Sequence, residues 1–88
     1  MSKICFAEGG WQDYVYWQNT DKKTVKKINN LLKSIERDGA MQGEGKPEKF
    51  KHRIGVYSRR IDDTNRLIYT AEDTLITVLQ CRSHYGDK

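Results

Sequence analysis

The strongest constraint on the fold of this chain is an apolar, β-branched run near its C-terminal end, Leu75–Cys81. Segments of this composition are typical of an interior strand in a small sheet. Side chains alternate between the two faces of a strand, so Arg82 and His84 lie on one face if the extended geometry continues. Ser83 and Tyr85 then lie on the other. The run therefore predicts that a guanidinium and a titratable imidazole are carried together at the end of a rigid element.

The size of the chain limits it to one core. A chain of 88 residues buries about 60 to 65% of its unfolded surface on folding. We therefore predict a single domain over residues 1–88, with residues 86–88 as a disordered tail. Hydrophobic residues make up 36% and charged residues 32%, which is typical of a globular protein. We expect a cytoplasmic protein with no membrane association, because the sequence has neither an apolar run of roughly 18 residues nor a secretory signal pattern.

The cysteines and histidines of the sequence do not have the spacing of a metal or redox site. Cys5 and Cys81 are too few for a disulfide scaffold and form no C-x-x-C motif. We interpret both as buried strand residues. No metal ion and no cofactor is expected, and a metal hydrolase is disfavoured for the same reason.

The basic residues are concentrated in two clusters, and the formal net charge is +4. The first cluster, within residues 22–27, is compatible with the solvated face of a helix. The second surrounds Pro47 in a segment too irregular for a simple helix, and it favours a polyanionic partner. It comprises Lys46, Lys49, Lys51, His52, Arg53, Arg59 and Arg60.

The N-terminal half predicts a strand followed by two helices. Alternating polar and apolar residues over 2–7 indicate a short strand, and the glycines that follow end it. A short helix over 11–19 is also favoured, with a core-facing stripe made up of Trp11, Tyr14, Val15 and Trp17. A second helix has its N-cap at Thr20 or Asp21 and ends at Gly39. Its core-facing positions are Val25, Ile28, Leu32 and Ile35.

The C-terminal half predicts three strands. Ile54–Ile61 and Arg66–Ala71 are joined by the turn Asp62–Asn65, and Leu75–Cys81 follows a second short turn. Strands joined in this way form an antiparallel meander. The whole order, β-α-α-β-β-β, predicts an α+β fold in which the helical hairpin covers one face of the sheet. The other face has to carry polar side chains, and strand register decides which of them meet.

Residues 39–51 contain the only proline and no apolar periodicity, which indicates an ordered surface loop. Within it, Glu48 follows a rigid turn and lies among Lys46, Lys49 and Lys51. A carboxylate in such surroundings could act as a base or could form an ordinary salt bridge. The residues alone favour the salt bridge.

A series of motifs runs in order through nearly the whole chain: Trp11–Gln18, Thr20–Lys23, Val25–Asn29, Gly45–Glu48, Lys51-His52, Tyr57–Ile61, Arg66–Tyr69, Cys81-Arg82 and His84-Tyr85. Together they resemble the YoeB (Txe) family of bacterial toxins in the RelE superfamily. Members of that family are the toxins of type II toxin–antitoxin systems and cleave mRNA in the ribosomal A site. The resemblance implies that this chain is a ribosome-dependent endoribonuclease that inhibits translation.

The resemblance also implies roles for individual residues. Glu48 would be the general base that takes a proton from a ribose 2′-hydroxyl, and His84 the general acid that protonates the departing 5′-oxygen. Arg66 would stabilise the charge at phosphorus. The residues expected to bind RNA are Lys49, Lys51, Arg59, Arg60, Arg82 and Tyr85. This chemistry needs a base, an acid and a cation, and no metal.

The expected partners follow from the same resemblance. They are the 70S ribosome, mRNA and an antitoxin of the YefM/Phd type, whose acidic or amphipathic tail would fold over the basic groove. Homodimers are common in the family, although nothing in the sequence decides this point. Two other functions stay open. The chain could bind RNA or the ribosome without cleaving, or it could act on another target such as gyrase, for which Glu48, Arg66 and His84 would be dispensable.

Overall fold

The computed structural model describes residues 2–51 and 53–82. These residues form one five-stranded mixed sheet and two helices that pack on one of its faces. The elements are β1 Lys3–Phe6, α1 Glu8–Thr20, α2 Lys22–Asp38, β2 Glu48–Lys49, β3 Val56–Arg60, β4 Arg66–Glu72 and β5 Leu75–Gln80. The predicted α+β fold is confirmed. The predicted tail, 86–88, lies outside the described residues.

The strands lie in the order β1-β5-β4-β3-β2. β3, β4 and β5 form the predicted antiparallel meander, and β1 pairs in parallel with β5, so the apolar strand is interior as predicted. The sequence pattern does not predict β2, because residues 39–51 have the character of a loop throughout. It consists of two residues that pair with β3, Glu48 with Ser58 and Lys49 with Tyr57.

Helix α2 follows its sequence pattern closely. Asp21 is the N-cap, and its side chain accepts hydrogen bonds from the backbone N–H groups of Lys23 and Thr24, at 3.0 and 3.4 Å. Gly39 ends the helix with a φ of 103°, a conformation that favours glycine. Three of the four predicted core positions, Ile28, Leu32 and Ile35, are buried, while Val25 is partly buried.

Helix α1 begins at Glu8, three residues earlier than predicted. The two glycines follow the end of β1, as predicted, but they belong to the helix and not to a connecting segment. A Cβ atom on Gly10 would lie 2.3 Å from the carbonyl oxygen of Val78. Glycine therefore allows α1 to pack directly against the backbone of β5. The predicted core-facing stripe is correct for Trp17, which is buried, and wrong for Trp11, which is 51% exposed.

The hydrophobic core lies between the helices and the sheet. Tyr69 pairs with Tyr57 on one side and Val78 on the other, so these three residues share the helix-facing side. The buried cluster comprises Trp17, Ile28, Leu31, Leu32, Ile35, Ile61, Leu67, Tyr69, Ile76, Val78 and Cys81. The prediction for Cys5 is wrong: it is exposed, because it lies opposite Thr77 on the other face of an edge strand. Neither described helix has the length and apolar character of a membrane span.

Gly10→Ala should destabilise the fold by about 2 to 3 kcal/mol, because the new methyl group meets strand backbone that can yield only if α1 shifts. Gly9→Ala is the matched control. The Cβ atom of that alanine would come no closer to the strand than 3.3 Å, to the carbonyl oxygen of Leu79. We expect that variant to change stability by less than about 1 kcal/mol. Urea unfolding of both variants measures the difference, and equal losses would contradict the proposed close packing.

Asp62 closes the turn between β3 and β4. Its Oδ1 accepts hydrogen bonds from the backbone N–H groups of Thr64 and Asn65, at 2.8 and 2.7 Å. Burial raises the pKa of Asp62, but these hydrogen bonds outweigh it and hold the pKa below its ordinary value. Because the pKa of Asp62 is lower in the folded than in the unfolded state, its ionised carboxylate stabilises the fold at pH values above the unfolded pKa of about 3.9. This stabilisation is lost as the pH falls through the folded pKa.

Asp62→Ala should therefore lower the free energy of unfolding by about 1 kcal/mol at pH 7. The difference from the native protein should shrink as the pH falls below about 4, where the carboxylate becomes protonated. Asp62→Asn keeps an oxygen acceptor and should retain most of the stability at pH 7. Denaturant unfolding at pH 7 and pH 3 measures the effect, and a difference between native protein and Asp62→Ala that is as large at pH 3 would refute this account.

Candidate active site

The strand register aligns a row of residues across the sheet face that points away from the helices, which we call the site face. Glu48 pairs with Ser58, Ser58 with Ile68, and Ile68 with Gln80. Directly paired residues project to the same side, so all four share the site face. One step along the same strands on this face, Arg60 pairs with Arg66. Residues from four strands thus meet at one end of the sheet.

A β-bulge adjusts the last of these strands. Tyr69 pairs with Val78 but Ile68 pairs with Gln80, so Leu79 has no direct partner on β4. The extra residue shifts the alternation of side chains by one position. It explains how Val78 and Cys81, three residues apart, are both buried against the helices. That spacing of two apolar residues is the sequence signal that could have predicted the bulge.

Two of the three predicted catalytic residues are in contact. Nη1 of Arg66 donates to Oε2 of Glu48 at 3.0 Å, although the residues lie 18 positions apart in the chain. The Glu48 side chain is 47% exposed and that of Arg66 is 27% exposed. An ion pair with this exposure contributes only about 0.5 kcal/mol to stability. Glu48 forms a salt bridge, as the sequence favours, but its partner is Arg66 and not one of the neighbouring lysines. The pair is weak enough for another anion to compete with it.

Basic residues lie on both sides of β2, the strand that carries Glu48. Arg60 lies on the same face and forms an ion pair with Asp63 at the turn. Lys49 is exposed on the opposite side of β2, because it pairs with Tyr57 rather than with a site-face residue. A groove of about 410 Å³ runs beside β2 and β3, lined by Lys49, Lys51, Arg53, Phe50 and Tyr57 among others. The groove therefore combines positive charge with aromatic rings.

Helix α1 holds the chain where it leaves β5. The backbone N–H of Cys81 donates to Oδ2 of Asp13 at 3.0 Å, and Nε1 of Trp17 donates to the carbonyl oxygen of Cys81 at 2.8 Å. The guanidinium carbon of Arg82 lies 3.8 Å from the centre of the Tyr16 ring. Burial, together with the nearby Asp13, raises the pKa of the Cys81 thiol to about 12. Cys81 is therefore a structural residue and not a nucleophile at neutral pH.

Arg59 differs from its expected role in RNA binding. It is fully buried, and its guanidinium bonds to Tyr69, to Ser34 and to four backbone carbonyl groups of the loop after α2. Neighbouring residues of a strand point to opposite faces, so only one of Arg59 and Arg60 can reach the site face. Strand alternation is therefore the sequence signal that could have assigned Arg59 and Arg60 to opposite faces of the sheet. We do not retain Arg59 among the RNA contacts.

Three residues singled out in the sequence, His52, His84 and Tyr85, lie outside the described residues. The catalytic role of His84 and the RNA-binding role of Tyr85 stay predictions. Within residues 2–51 and 53–82, no group of three or more histidine, cysteine or acidic side chains is arranged to hold a metal ion.

Trp17→Phe should lower the free energy of unfolding by about 1 to 3 kcal/mol, because it leaves the carbonyl oxygen of Cys81 buried without its donor. Trp11→Phe is the matched control, since the Trp11 side chain is largely exposed, and it should cost less than about 1 kcal/mol. Thermal or denaturant unfolding gives both values. Similar losses in the two variants would show that the indole hydrogen bond does not secure the end of β5.

Comparison with known proteins gives consistent matches. Residues 6–85 match a family model described as the YoeB-like toxin of bacterial type II toxin-antitoxin systems. Toxin YoeB of Escherichia coli K12 is 46% identical over 84 residues, which cover 94% of this chain and 99% of that protein. Toxin YoeB of Streptomyces coelicolor has the same identity and coverage.

Solved structures agree with this assignment. The YoeB dimer of Staphylococcus aureus superposes with a TM-score of 0.92 at 52% identity, covering 96% of this chain and 98% of that one. YoeB in the heterotetrameric YoeB–YefM toxin–antitoxin complex of the same organism gives a TM-score of 0.88 at 51% identity, covering 97% of this chain and 99% of that one. The chain described here belongs to the YoeB-like family of bacterial type II toxin–antitoxin toxins.

Proposed function

We propose that this toxin is a metal-independent endoribonuclease that cleaves mRNA in the A site of the ribosome and thereby inhibits translation. The observation that supports the proposal best is the contact between Glu48 and Arg66, at 3.0 Å on a face that also carries Arg60. A carboxylate and a guanidinium side by side are the base and the electrophilic group that RNA cleavage through its own 2′-hydroxyl requires.

In the proposed reaction Glu48 takes the proton from a ribose 2′-hydroxyl, and the 2′-oxygen attacks the adjacent phosphorus. Arg66 stabilises the negative charge that accumulates on the phosphoryl oxygens. His84 protonates the 5′-oxygen as its bond to phosphorus breaks, which leaves a 2′,3′-cyclic phosphate and a free 5′-hydroxyl. Positioned proton transfer contributes about 10² to 10⁴-fold in rate, and a preorganised cation about 10² to 10³-fold.

The resting ion pair prepares the site for this exchange. A phosphate oxygen entering beside Arg66 competes with Glu48 for the guanidinium, and the partial exposure of both groups keeps the cost of that exchange low. Once Arg66 is engaged with phosphate, the Glu48 carboxylate can accept the 2′-hydroxyl proton. The pair thus holds both groups near their working positions before RNA arrives.

We infer that Arg60 on the site face and Lys49 and Lys51 in the groove beside β2 bind the RNA backbone, with Arg82 and Tyr85 as further RNA contacts. Phe50 and Tyr57 line the same groove as the lysines, and aromatic rings in a basic groove are suited to unstacked single-stranded RNA. Because part of the affinity comes from phosphate neutralisation, binding should weaken as salt is raised. A ribosomal target places the activity in the cytoplasm.

We also propose that an antitoxin of the YefM/Phd type binds this toxin, as YefM binds YoeB in the Staphylococcus aureus complexes. The net charge of +4 and the basic groove suit an acidic antitoxin tail. A homodimer of this chain would correspond to the YoeB dimer of the same organism.

Primer-extension mapping of a defined mRNA, with and without translating ribosomes, tests the proposed activity. Cuts should appear only in translated RNA, and Glu48→Gln, Arg66→Ala and His84→Ala should each lower the cleavage rate by at least about 100-fold. Glu72→Gln is the control, because this exposed glutamate lies at the far end of β4, and it should cleave as the native protein does. A translation block without cuts would instead identify a non-cleaving inhibitor, and full activity of Arg66→Ala or His84→Ala would exclude the mechanism.

A further inference from the structure

We propose that Arg59 is a positioning residue for Glu48: its buried guanidinium holds the loop between α2 and β2 in the shape that carries Glu48 to Arg66. The proposal rests on the proposed function, because it assigns Arg59 to the reaction through Glu48. Arg59 itself is 0% exposed, so it acts without touching RNA.

The guanidinium is surrounded by oxygen acceptors. Nε donates to Oη of Tyr69 at 2.8 Å, and Nη1 donates to Oγ of Ser34 at 3.1 Å and to the carbonyl oxygen of Glu44 at 2.7 Å. Nη2 donates to the carbonyl oxygens of Gly39 at 2.8 Å, Ala40 at 3.3 Å and Gln42 at 2.6 Å. Four carbonyl groups within six consecutive residues therefore converge on one side chain.

These contacts compensate the buried charge without a direct carboxylate partner. Among the described residues no acidic side chain lies within ion-pair distance of Arg59. One of the acceptors, the carbonyl oxygen of Gly39, belongs to the C-cap of α2, where the end of the helix favours a cation. A guanidinium offers five donors in a fixed plane, whereas lysine has three donors around one nitrogen atom. The arrangement therefore requires arginine and not simply a positive charge.

Two neighbours extend this network to the end of the loop. Oγ of Ser34 accepts a hydrogen bond from the backbone N–H of Glu44 at 2.9 Å, next to its contact with Arg59. The carbonyl oxygen of Gly45 accepts from the backbone N–H of Arg60 at 2.7 Å. A Cβ atom on Gly45 would lie 3.2 Å from Cβ of Arg59 and 2.7 Å from a methyl group of Leu31, so the loop is pressed against the core at this point.

Glu48 lies three residues beyond Gly45, in a strand of only two residues. The loop from residue 39 to residue 47 has no regular secondary structure, and its largest apolar side chain, Met41, is exposed. Apolar burial therefore contributes little to its shape, and the hydrogen bonds of Arg59 determine it. Loss of those bonds would free the loop carbonyls to move toward water and would displace Glu48 from Arg66.

The test is single-turnover cleavage of ribosome-bound mRNA at saturating toxin, comparing Arg59→Met in the native and Glu48→Gln backgrounds. A displacement of about 1 Å at a reacting group costs on the order of 10²-fold in rate. We therefore expect Arg59→Met to lower the cleavage rate about 10- to 100-fold, with ribosome affinity changed by less than about threefold. In the Glu48→Gln background, Arg59→Met should cause no further loss of rate, because both substitutions act through the Glu48 carboxylate.

Two further variants separate positioning from stability. Val78→Ala removes buried volume from β5, which is separated from β2 by two strands. It should keep the native cleavage rate at a temperature where it is folded. Tyr69→Phe removes the hydroxyl group that accepts from Arg59 and donates to the carbonyl oxygen of Ala40 at 2.6 Å. Tyr69→Phe should lower the cleavage rate by about three- to tenfold. It replaces Arg59→Met as the test variant if Arg59→Met does not fold. A native rate for folded Arg59→Met and Tyr69→Phe, or a further loss when Arg59→Met is added to Glu48→Gln, would overturn the proposal.

Amide hydrogen exchange gives a readout that does not depend on cleavage. Arg59→Met, or Tyr69→Phe in its place, should increase exchange at residues 40–46 by at least about tenfold while the amides of β4 and β5 stay protected. If the native protein makes no cuts, the proposed function fails. Unchanged amide exchange of the loop in these variants would refute the role of Arg59 and would leave the proposed cleavage activity unaffected.

Discussion

The close approach of α1 to β5 at Gly10 is the contact on which the rest of the structure depends. Because no side chain separates the helix from the carbonyl oxygen of Val78, later residues of α1 come within hydrogen-bonding distance of the end of the strand. Asp13 and Trp17 bind the two backbone polar groups of Cys81, which follows the last paired residue of β5 among the described residues. The helix thus determines both where the sheet ends and how the chain leaves it toward the residues expected to act in catalysis.

The second organising feature is the alternation along β3. Arg59 and Arg60 are adjacent and carry the same charge, yet one is enclosed by loop carbonyls and the other lies beside Arg66. Burial of a cation is ordinarily unfavourable, and here it is offset by a full set of acceptors, among them the hydroxyl group of Tyr69. Burial also raises the pKa of Tyr69, so its hydroxyl group stays protonated and can donate to Ala40 while it accepts from Arg59.

Much of the fold could be predicted from local patterns, and the exceptions share a physical cause. The cap at Asp21, the glycine at the end of α2 and the turn at Asp62 are set by neighbouring residues in the chain, so the sequence reveals them directly. The early start of α1, the two-residue β2 and the bulge near Leu79 arise from contacts between distant segments. Glu48 and Arg66 could be named from the family resemblance, but their contact required the strand register. Four of the six acceptors around Arg59 are backbone carbonyls, which leave no trace in the sequence.

The parallel pairing of β1 with β5 affects how the sheet is completed. Lys3 lies opposite Leu75, so the first strand pairs only with the last one, and every other element lies between them in the chain. Closing such a long loop opposes pairing until the intervening meander and hairpin have brought the two strands together. During synthesis, β1 has no partner before β5 emerges. The hydrogen bonds of Cys81 with Asp13 and Trp17 cannot form before that point either. Glu48 and Arg66 can meet once β2, β3 and β4 have paired, whereas the segment beyond Cys81, to which the proposed acid His84 belongs, follows β5 in the chain. The proposed acid is therefore the last catalytic group to be added during synthesis.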